Sequence, residues 1–218
     1  PVRRGELTVK GLGMSVEIFN SKNKSVIGVP GDLVCTEPFP SMPITFWGKD
    51  GDARYKKTYF EEREEIWTHG DLAELKPHGS GVIYGRTDNT LNPGGVRIGT
   101  AEIYNICELF KEIEDCLVFG NQINNDEEII LCIKISKNNK LDNTLSNIIR
   151  RKIRENASPR HVPQKIYEVT DIPYTMNGKR VEGAAKWMLA GKKVPNLSSI
   201  SNPECLKQYA NLNNKKAL

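Results

Sequence analysis

At 218 residues and 38% hydrophobic content the chain is long enough for one or two domains with a real core. Its net charge is +4 with 27% charged residues, and no stretch approaches the roughly 18 apolar residues of a membrane-spanning helix, so the expectation is a soluble, globular protein. Cys35, Cys107, Cys116, Cys132 and Cys205 are odd in number, scattered and never spaced C-x-x-C, which points away from a disulfide framework or zinc site and fits a reducing compartment.

The first 87 residues read as β-rich. Glu6–Lys10, Ser15–Phe19 and Asp32–Thr36 alternate or cluster β-branched residues, and Gly11, Gly13, Gly28, Pro30 and Gly31 punctuate them. Residues 37–52 carry three prolines and two glycines and are expected to be a loop, because proline can neither donate to a ladder nor continue a helix. Val82–Tyr84 is a short predicted strand that leads to Gly85 and Arg86. The pattern then changes. Ile103, Ile106, Cys107, Phe110 and Ile113 keep helical spacing, with Thr100 as the expected cap. Ile129–Ile133, continuing to Ile135, reads as a buried strand. Leu145, Ile148, Ile149 and Ile153 line one face of a second helix that begins at Asp142 or Asn143 and ends before Pro159 and Pro163. A strand around Ile166–Val169 follows, then a third helix from about Arg180 to Leu189 that Gly191 stops. Ser201–Glu204 opens a short last helix with Pro203 at its first position.

Charge is unevenly placed. Residues 134–193 hold 14 Lys and Arg against 5 Asp and Glu. Such a block fits a polyanionic partner or simply a solvated helix face.

Three clusters carry candidate chemistry. In Trp67-Thr-His-Gly-Asp71 a carboxylate follows an apolar strand at an expected tight turn, where it can accept hydrogen bonds from a ribose diol or from its own backbone. In Gly85-Arg-Thr-Asp88 and Asn92-Pro-Gly-Gly-Val-Arg-Ile-Gly99, Arg86 and Arg97 can offer guanidinium forks to phosphate or ribose, and Gly94 and Gly95 permit positive φ and close backbone approach; a hairpin with two exposed arginines is the plain alternative. In Ile172-Pro-Tyr-Thr-Met-Asn-Gly-Lys179 a loop-tip lysine can bring one positive charge to a carboxylate meeting a phosphate, or lie on an ordinary surface.

The order and spacing of these clusters resemble the C-terminal motifs of the adenylate-forming superfamily, over almost the whole chain. The His69-Gly-Asp71 form, Thr90-Leu-Asn-Pro93, Ser158-Pro-Arg-His-Val-Pro163, Ile172-Pro-Tyr-Thr175, Cys35-Thr-Glu-Pro38 and Ser201-Asn-Pro-Glu204 are similar to the acetoacetyl-CoA synthetases within it. The resemblance implies acyl-adenylate formation from an acid and ATP, with Mg²⁺, and then displacement of AMP by CoA to give a thioester. Acetoacetate is the implied acid. Asp71 matches the carboxylate that binds the AMP ribose, and Arg86 a second ribose contact. Asp88 matches the hinge of the small domain. Gly94, Gly95 and Arg97 match a loop at the CoA channel, with Arg97 also near the α-phosphate. Lys179 matches the adenylation lysine, and Arg150 an arginine at the CoA 3′-phosphate.

The implied fold is mixed α+β. Residues 1–87 would end a large N-terminal AMP-binding domain, and residues 88–218 would form a small mobile domain with a short sheet flanked by helices. Two details depart from the common pattern. His69 stands where a threonine is usual, leaving Thr68 or His69 as its replacement, and Asn177 precedes Gly178-Lys179. The family's phosphate loop and acid pocket have no counterpart in residues 1–87, so the chain, which begins at Pro1, is expected to be a piece of a longer protein and inactive alone. Acetyl- or propionyl-CoA synthetase is the alternative within the family. A basic nucleic-acid-binding module is the alternative outside it, opposed by the scarcity of aromatics between 134 and 193. The expected setting is cytosolic, with small-molecule substrates and neither nucleic acid nor membrane.

Overall fold

Four strands pair antiparallel near the N-terminus in the order β1-β2-β3-β4: β1 (Val16–Phe19), β2 (Gly31–Cys35), β3 (Trp67–Leu75) and β4 (Gly81–Arg86). The structure is a computed structural model describing all residues except Asp88, Asn125 and Lys216. The chain falls into two units, Pro1–Asp88 and Asn89–Leu218.

In the first unit Ile18, Val34, Leu72 and Ala73 are buried in the sheet. Trp67 stacks on Tyr59 with centroids 3.6 Å apart and meets Phe39 edge-on. The unit's apolar surface is only partly covered, since Ile44 and Trp47 are 95% and 97% exposed. Two expectations need correction. Glu6–Lys10 forms one bridge, Leu7 to Gly81, and no strand, because Leu7 and Val9 are exposed and have no core face to fill. The 37–52 loop gives way at Gly51 to a helix absent from the sequence reading, α1 (Gly51–Tyr59). Gly51 is its one buried residue, so it has no apolar stripe to read.

The second unit is built on a three-stranded sheet of order β5-β6-β7. An antiparallel hairpin joins β5 (Ile113–Ile123) to β6 (Asp126–Ile135), and β7 (Lys165–Glu168) lies parallel to β6. Period-two alternation divides the strand residues between two cores. Cys116, Val118, Ile129, Leu131 and Ile133 face one side with α2 (Thr100–Cys107) and α3 (Asn143–Asn156). Leu117, Phe119, Ile130 and Cys132 face the other with α4 (Glu182–Leu189) and α5 (Lys207–Ala210). Leu145, Ile149 and Ile153 bury the α3 stripe, and the Asp142 carboxylate caps that helix by accepting from Leu145 N at 2.8 Å. Gly191 stops α4 with φ +67.

The first helix of this unit is shorter than its periodicity predicts. It ends at Cys107, but Phe110 and Ile113 pack against the same core from the following turn and from β5, so the apolar spacing runs on past the helix. Strand β5 is therefore masked in the sequence pattern by the helix that precedes it. Thr100 is the first helical residue and Gly99 the cap position; the Glu102 carboxylate accepts from Gly99 N at 3.3 Å. All five cysteines are buried thiols. No helix among the described residues is long and apolar enough to cross a membrane.

Candidate functional site

Asp71 lies within β3, not at a tight turn, and pairs in register with Arg86 of β4. Gly70 beside it adopts φ +84, and its missing Cβ is what lets the Arg86 guanidinium in: a methyl there would sit 2.8 Å from Arg86 Nη2. Arg86 Nη1 donates to His69 O at 3.0 Å and comes within 3.5 Å of Asp71 Oδ1. His69 Nδ1 lies 2.6 Å from Asp71 Oδ2. Asp71 is thus held between an imidazole and a guanidinium, and an ionised carboxylate has about four lone-pair sites, leaving capacity for two hydroxyls. Thr68 is buried, with Arg63 Nη1 at 3.4 Å from its hydroxyl. Of the two residues open to replace the usual threonine, His69 is the one exposed beside Asp71.

In the second unit Pro93–Gly95 form a 3-10 turn in which Gly94 and Gly95 take φ +58 and +77. The turn is tied to the β5–β6 hairpin. Asp126 Oδ1 accepts from Gly94 N at 2.7 Å, and Glu127 Oε1 accepts from Asn92 N at 3.0 Å. These main-chain donors, Gly94 N and Glu127 N, hold the Asp126 carboxyl below its ordinary range. Buried Glu127 crosses Gly120, where a Cβ would stand 1.8 Å from Glu127 Oε1. Arg97 is exposed just beyond the turn, and Arg160 Nη1 lies 3.1 Å from where a Gly94 side chain would begin.

Lys179 is exposed on a turn whose stems are Tyr174 and Arg180, joined as an antiparallel bridge. Thr175 N donates to Lys179 O at 2.8 Å, Lys179 N donates to Thr175 Oγ1 at 3.0 Å, and Gly178 supplies φ +73. Arg150 is placed differently. Its Nε donates to Pro163 O at 3.0 Å, and its Nη2 donates to Gln164 O and Leu218 O at 3.2 and 2.5 Å. Burial pulls its pKa down. Asp88, the expected hinge, lies outside the described residues.

Asp71 and Arg86 thus come together in the first unit; Gly94, Gly95 and Arg97 share one loop of the second, and Lys179 and Arg150 stand on separate elements of it. The supporting residues Gly120, Asp126 and Glu127 are not singled out by the sequence pattern. The acidic run Asp126-Glu127-Glu128 directly before Ile129, at the edge of an apolar stretch, is the available signal for two of them.

No family model matches the chain. It is 46% identical over 217 residues to the acetoacetyl-coenzyme A synthetase of Rhizobium meliloti (strain 1021), covering 100% of this chain and 33% of that protein. It is 45% identical over 215 residues to the acetoacetyl-CoA synthetase of Gallus gallus, covering 97% and 32%. The solved acetoacetyl-CoA synthetase from Streptomyces lividans superposes with a TM-score of 0.90 at 39% identity, over 97% of this chain and 32% of that one. A benzoate CoA ligase from Burkholderia xenovorans LB400, at 19% identity and TM-score 0.69 over 85% and 36%, shares the fold. The chain spans about a third of the length of the curated relatives it matches. Its mixed α+β fold matches the C-terminal part of the acyl-CoA synthetase fold.

Proposed function

We propose that this chain, homologous over its whole length to acetoacetyl-CoA synthetases, is part of an AMP-forming acid–thiol ligase that joins acetoacetate to CoA. In the first half-reaction a carboxylate oxygen of acetoacetate attacks the α-phosphorus of ATP and pyrophosphate leaves. In the second the CoA thiol loses its proton, its sulfur attacks the acyl carbon, and AMP departs. Asp71 accepts the two ribose hydroxyls of the nucleotide while His69 and Arg86 hold its carboxylate, and Arg86 adds a second contact. Lys179 offsets the negative charge that gathers as carboxylate meets α-phosphate. The Gly94–Gly95 loop presents main chain to CoA, with Arg97 near the α-phosphate.

The observation that carries this reading is the 46% identity sustained over 217 residues. Residues 1–87 act as the end of the large AMP-binding domain and 88–218 as the small mobile one, turning at Asp88. The CoA 3′-phosphate role that the resemblance gives Arg150 draws no support from its geometry, because the guanidinium is spent on three carbonyls. Among the described residues no group of three carboxylate, imidazole or thiol side chains is arranged to hold a metal; a magnesium ion would ride on the nucleotide's phosphates, where that ion keeps water and few protein ligands. The setting is cytosolic, with small-molecule substrates and no nucleic acid or membrane.

The test is acid-dependent AMP release by the full-length protein, with acetoacetate, acetate, propionate and butyrate compared. Preference for acetoacetate is expected. Preference for acetate or propionate would move the substrate but keep the chemistry, and no acid-dependent release would overturn the reading.

A further inference from the structure

Both stems of the Lys179 turn are fastened to one carboxylate. Asp115 Oδ2 accepts from the Tyr174 hydroxyl at 2.6 Å. Asp115 Oδ1 accepts from Arg180 Nη2 and Nε at 2.8 and 3.2 Å, and from Cys116 N at 2.8 Å. The residue before the turn and the residue after Lys179 are therefore gripped by a single side chain, across 59 and 65 positions of sequence.

The grip is stiff. The Arg180 guanidinium lies 4.4 Å over the ring of Tyr104, a cation–π contact. The Tyr104 hydroxyl is itself fixed, donating to Glu182 Oε1 at 2.8 Å and accepting from Val118 N at 3.1 Å. Glu108 adds a looser contact to Arg180 at 3.5 Å. Asp115 reaches the turn because β5 is irregular there: Ile113 and Asp115 oppose consecutive residues Ile135 and Lys134, leaving Glu114 as the extra residue. Bulges of this kind re-aim side chains. Glu114 goes to Lys134 at 2.9 Å, and Asp115 goes to the turn with 16% of its side chain exposed.

We propose that Asp115 is the positioning residue for Lys179, holding both stems of its turn so that the ammonium reaches the reacting phosphate and carboxylate. This rests on the reading of Lys179 as the adenylation lysine. A lysine is a point charge on a flexible stem. Its reach is defined only if its backbone is fixed, and a misplacement of about 1 Å at a reacting centre can cost about 100-fold. Asp115 touches no reactant in this assignment; it acts through Tyr174 and Arg180.

The experiment compares D115N, Y174F and K179A in the full-length ligase. Adenylation is read as acetoacetate-dependent exchange of pyrophosphate into ATP, and thioester formation from supplied acetoacetyl-adenylate and CoA. Asparagine keeps the shape but removes the charge that Arg180 needs; phenylalanine removes one hydroxyl and leaves every charge in place, so Y174F tests the same contact with less disturbance to folding. Expected is an adenylation rate down about 10- to 100-fold in D115N and less in Y174F, with thioester formation within about twofold of the parent. D115E, which restores the charge, should recover part of the loss. Equal loss of both half-reactions in D115N and Y174F would make the carboxylate merely structural and overturn the proposal, as would normal adenylation in D115N. If K179A itself adenylates normally, the lysine assignment fails and takes the proposal with it. If K179A is dead in adenylation while D115N is normal, only the proposal fails.

Discussion

His69 Nδ1 lies 2.6 Å from Asp71 Oδ2, two positions along the same strand. The imidazole donates a hydrogen bond that fixes one carboxylate oxygen while Arg86 approaches the other at 3.5 Å. Replacing His69 with alanine frees the carboxylate to rotate. A typical hydrogen bond contributes about 0.5–1.5 kcal/mol, so KM for ATP should rise roughly 2- to 10-fold. Asparagine, which keeps a donor, should recover part of the loss. An unchanged KM for ATP in H69A would show that Asp71 needs no such holder.

Gly70 is predicted to be the least replaceable residue of this group. Alanine there meets Arg86 Nη2 at 2.8 Å and must hold φ +84, a region that costs a residue with a Cβ about 1–2 kcal/mol. Expected for G70A are a lower melting temperature and weaker ATP binding together, since the Arg86 guanidinium is pushed off its place. Calorimetry and nucleotide titration of one preparation read both, and a G70A protein with parent values in each would refute the crowding.

How far these features were legible in the sequence follows from what each depends on. The α3 stripe at Leu145, Ile149 and Ile153 and the β6 run were readable because periodicity is local and the Asp142 cap sits three residues from its donor. Strand β5 was not, because Phe110 and Ile113 serve the same core as the helix before them and prolong its pattern. Lys179 and Asp71 stood out by motif. Their holders did not: Asp115 acts on Arg180 65 positions away, and Glu127 reaches Asn92 across 35. A carboxylate whose partner is remote in sequence looks like any surface acid until the fold brings them together. Asp71 was expected in a turn for a related reason, since a Gly-Asp pair with a positive φ suits a turn as well as an irregular strand.

The loop at Gly94 and Gly95 depends on charge at the hairpin, and that dependence has a direction in pH. Hydrogen bonds from Gly94 N and Glu127 N lower the Asp126 pKa from its ordinary 3.8. A depressed carboxyl contributes stability that is fully present above the unfolded value and lost as pH falls through the lower folded value. The Gly94 amide should therefore stay protected from hydrogen exchange at neutral and mildly acidic pH, and lose protection as pH falls below 3.8 and through the lower folded value. D126N removes the charge at neutral pH and should raise KM for CoA more than KM for ATP. Equal effects on both would detach the loop from CoA.

Gly120→Ala tests the same loop from beneath. The new methyl falls 1.8 Å from Glu127 Oε1 and 2.1 Å from its Cδ, so the carboxylate must leave. Asn92 N and Gln122 Nε2 then lose their acceptor. The buried Glu127 carboxylate gives up its partners, which costs about 1–3 kcal/mol; a lower melting temperature is expected, with faster exchange at the Asn92 amide. Parent stability in G120A would show that Glu127 is not needed where it lies.

Arg150 offers the sharpest contrast between resemblance and geometry. An arginine that met the CoA 3′-phosphate would make the enzyme prefer CoA over 3′-dephospho-CoA, and alanine at that position would erase the preference. The observed guanidinium instead donates to the main-chain oxygens of Pro163, Gln164 and Leu218, joining the middle of α3 to the approach of β7 and to Leu218. Hydrogen bonds to a charged group contribute about 1.5–3 kcal/mol, so R150A is expected to lower the stability of the second unit by about that order. The ratio of KM for 3′-dephospho-CoA to KM for CoA should stay as in the parent. A ratio that collapses toward one while the melting temperature holds would return Arg150 to the CoA phosphate, and would require its side chain to leave these carbonyls when CoA binds.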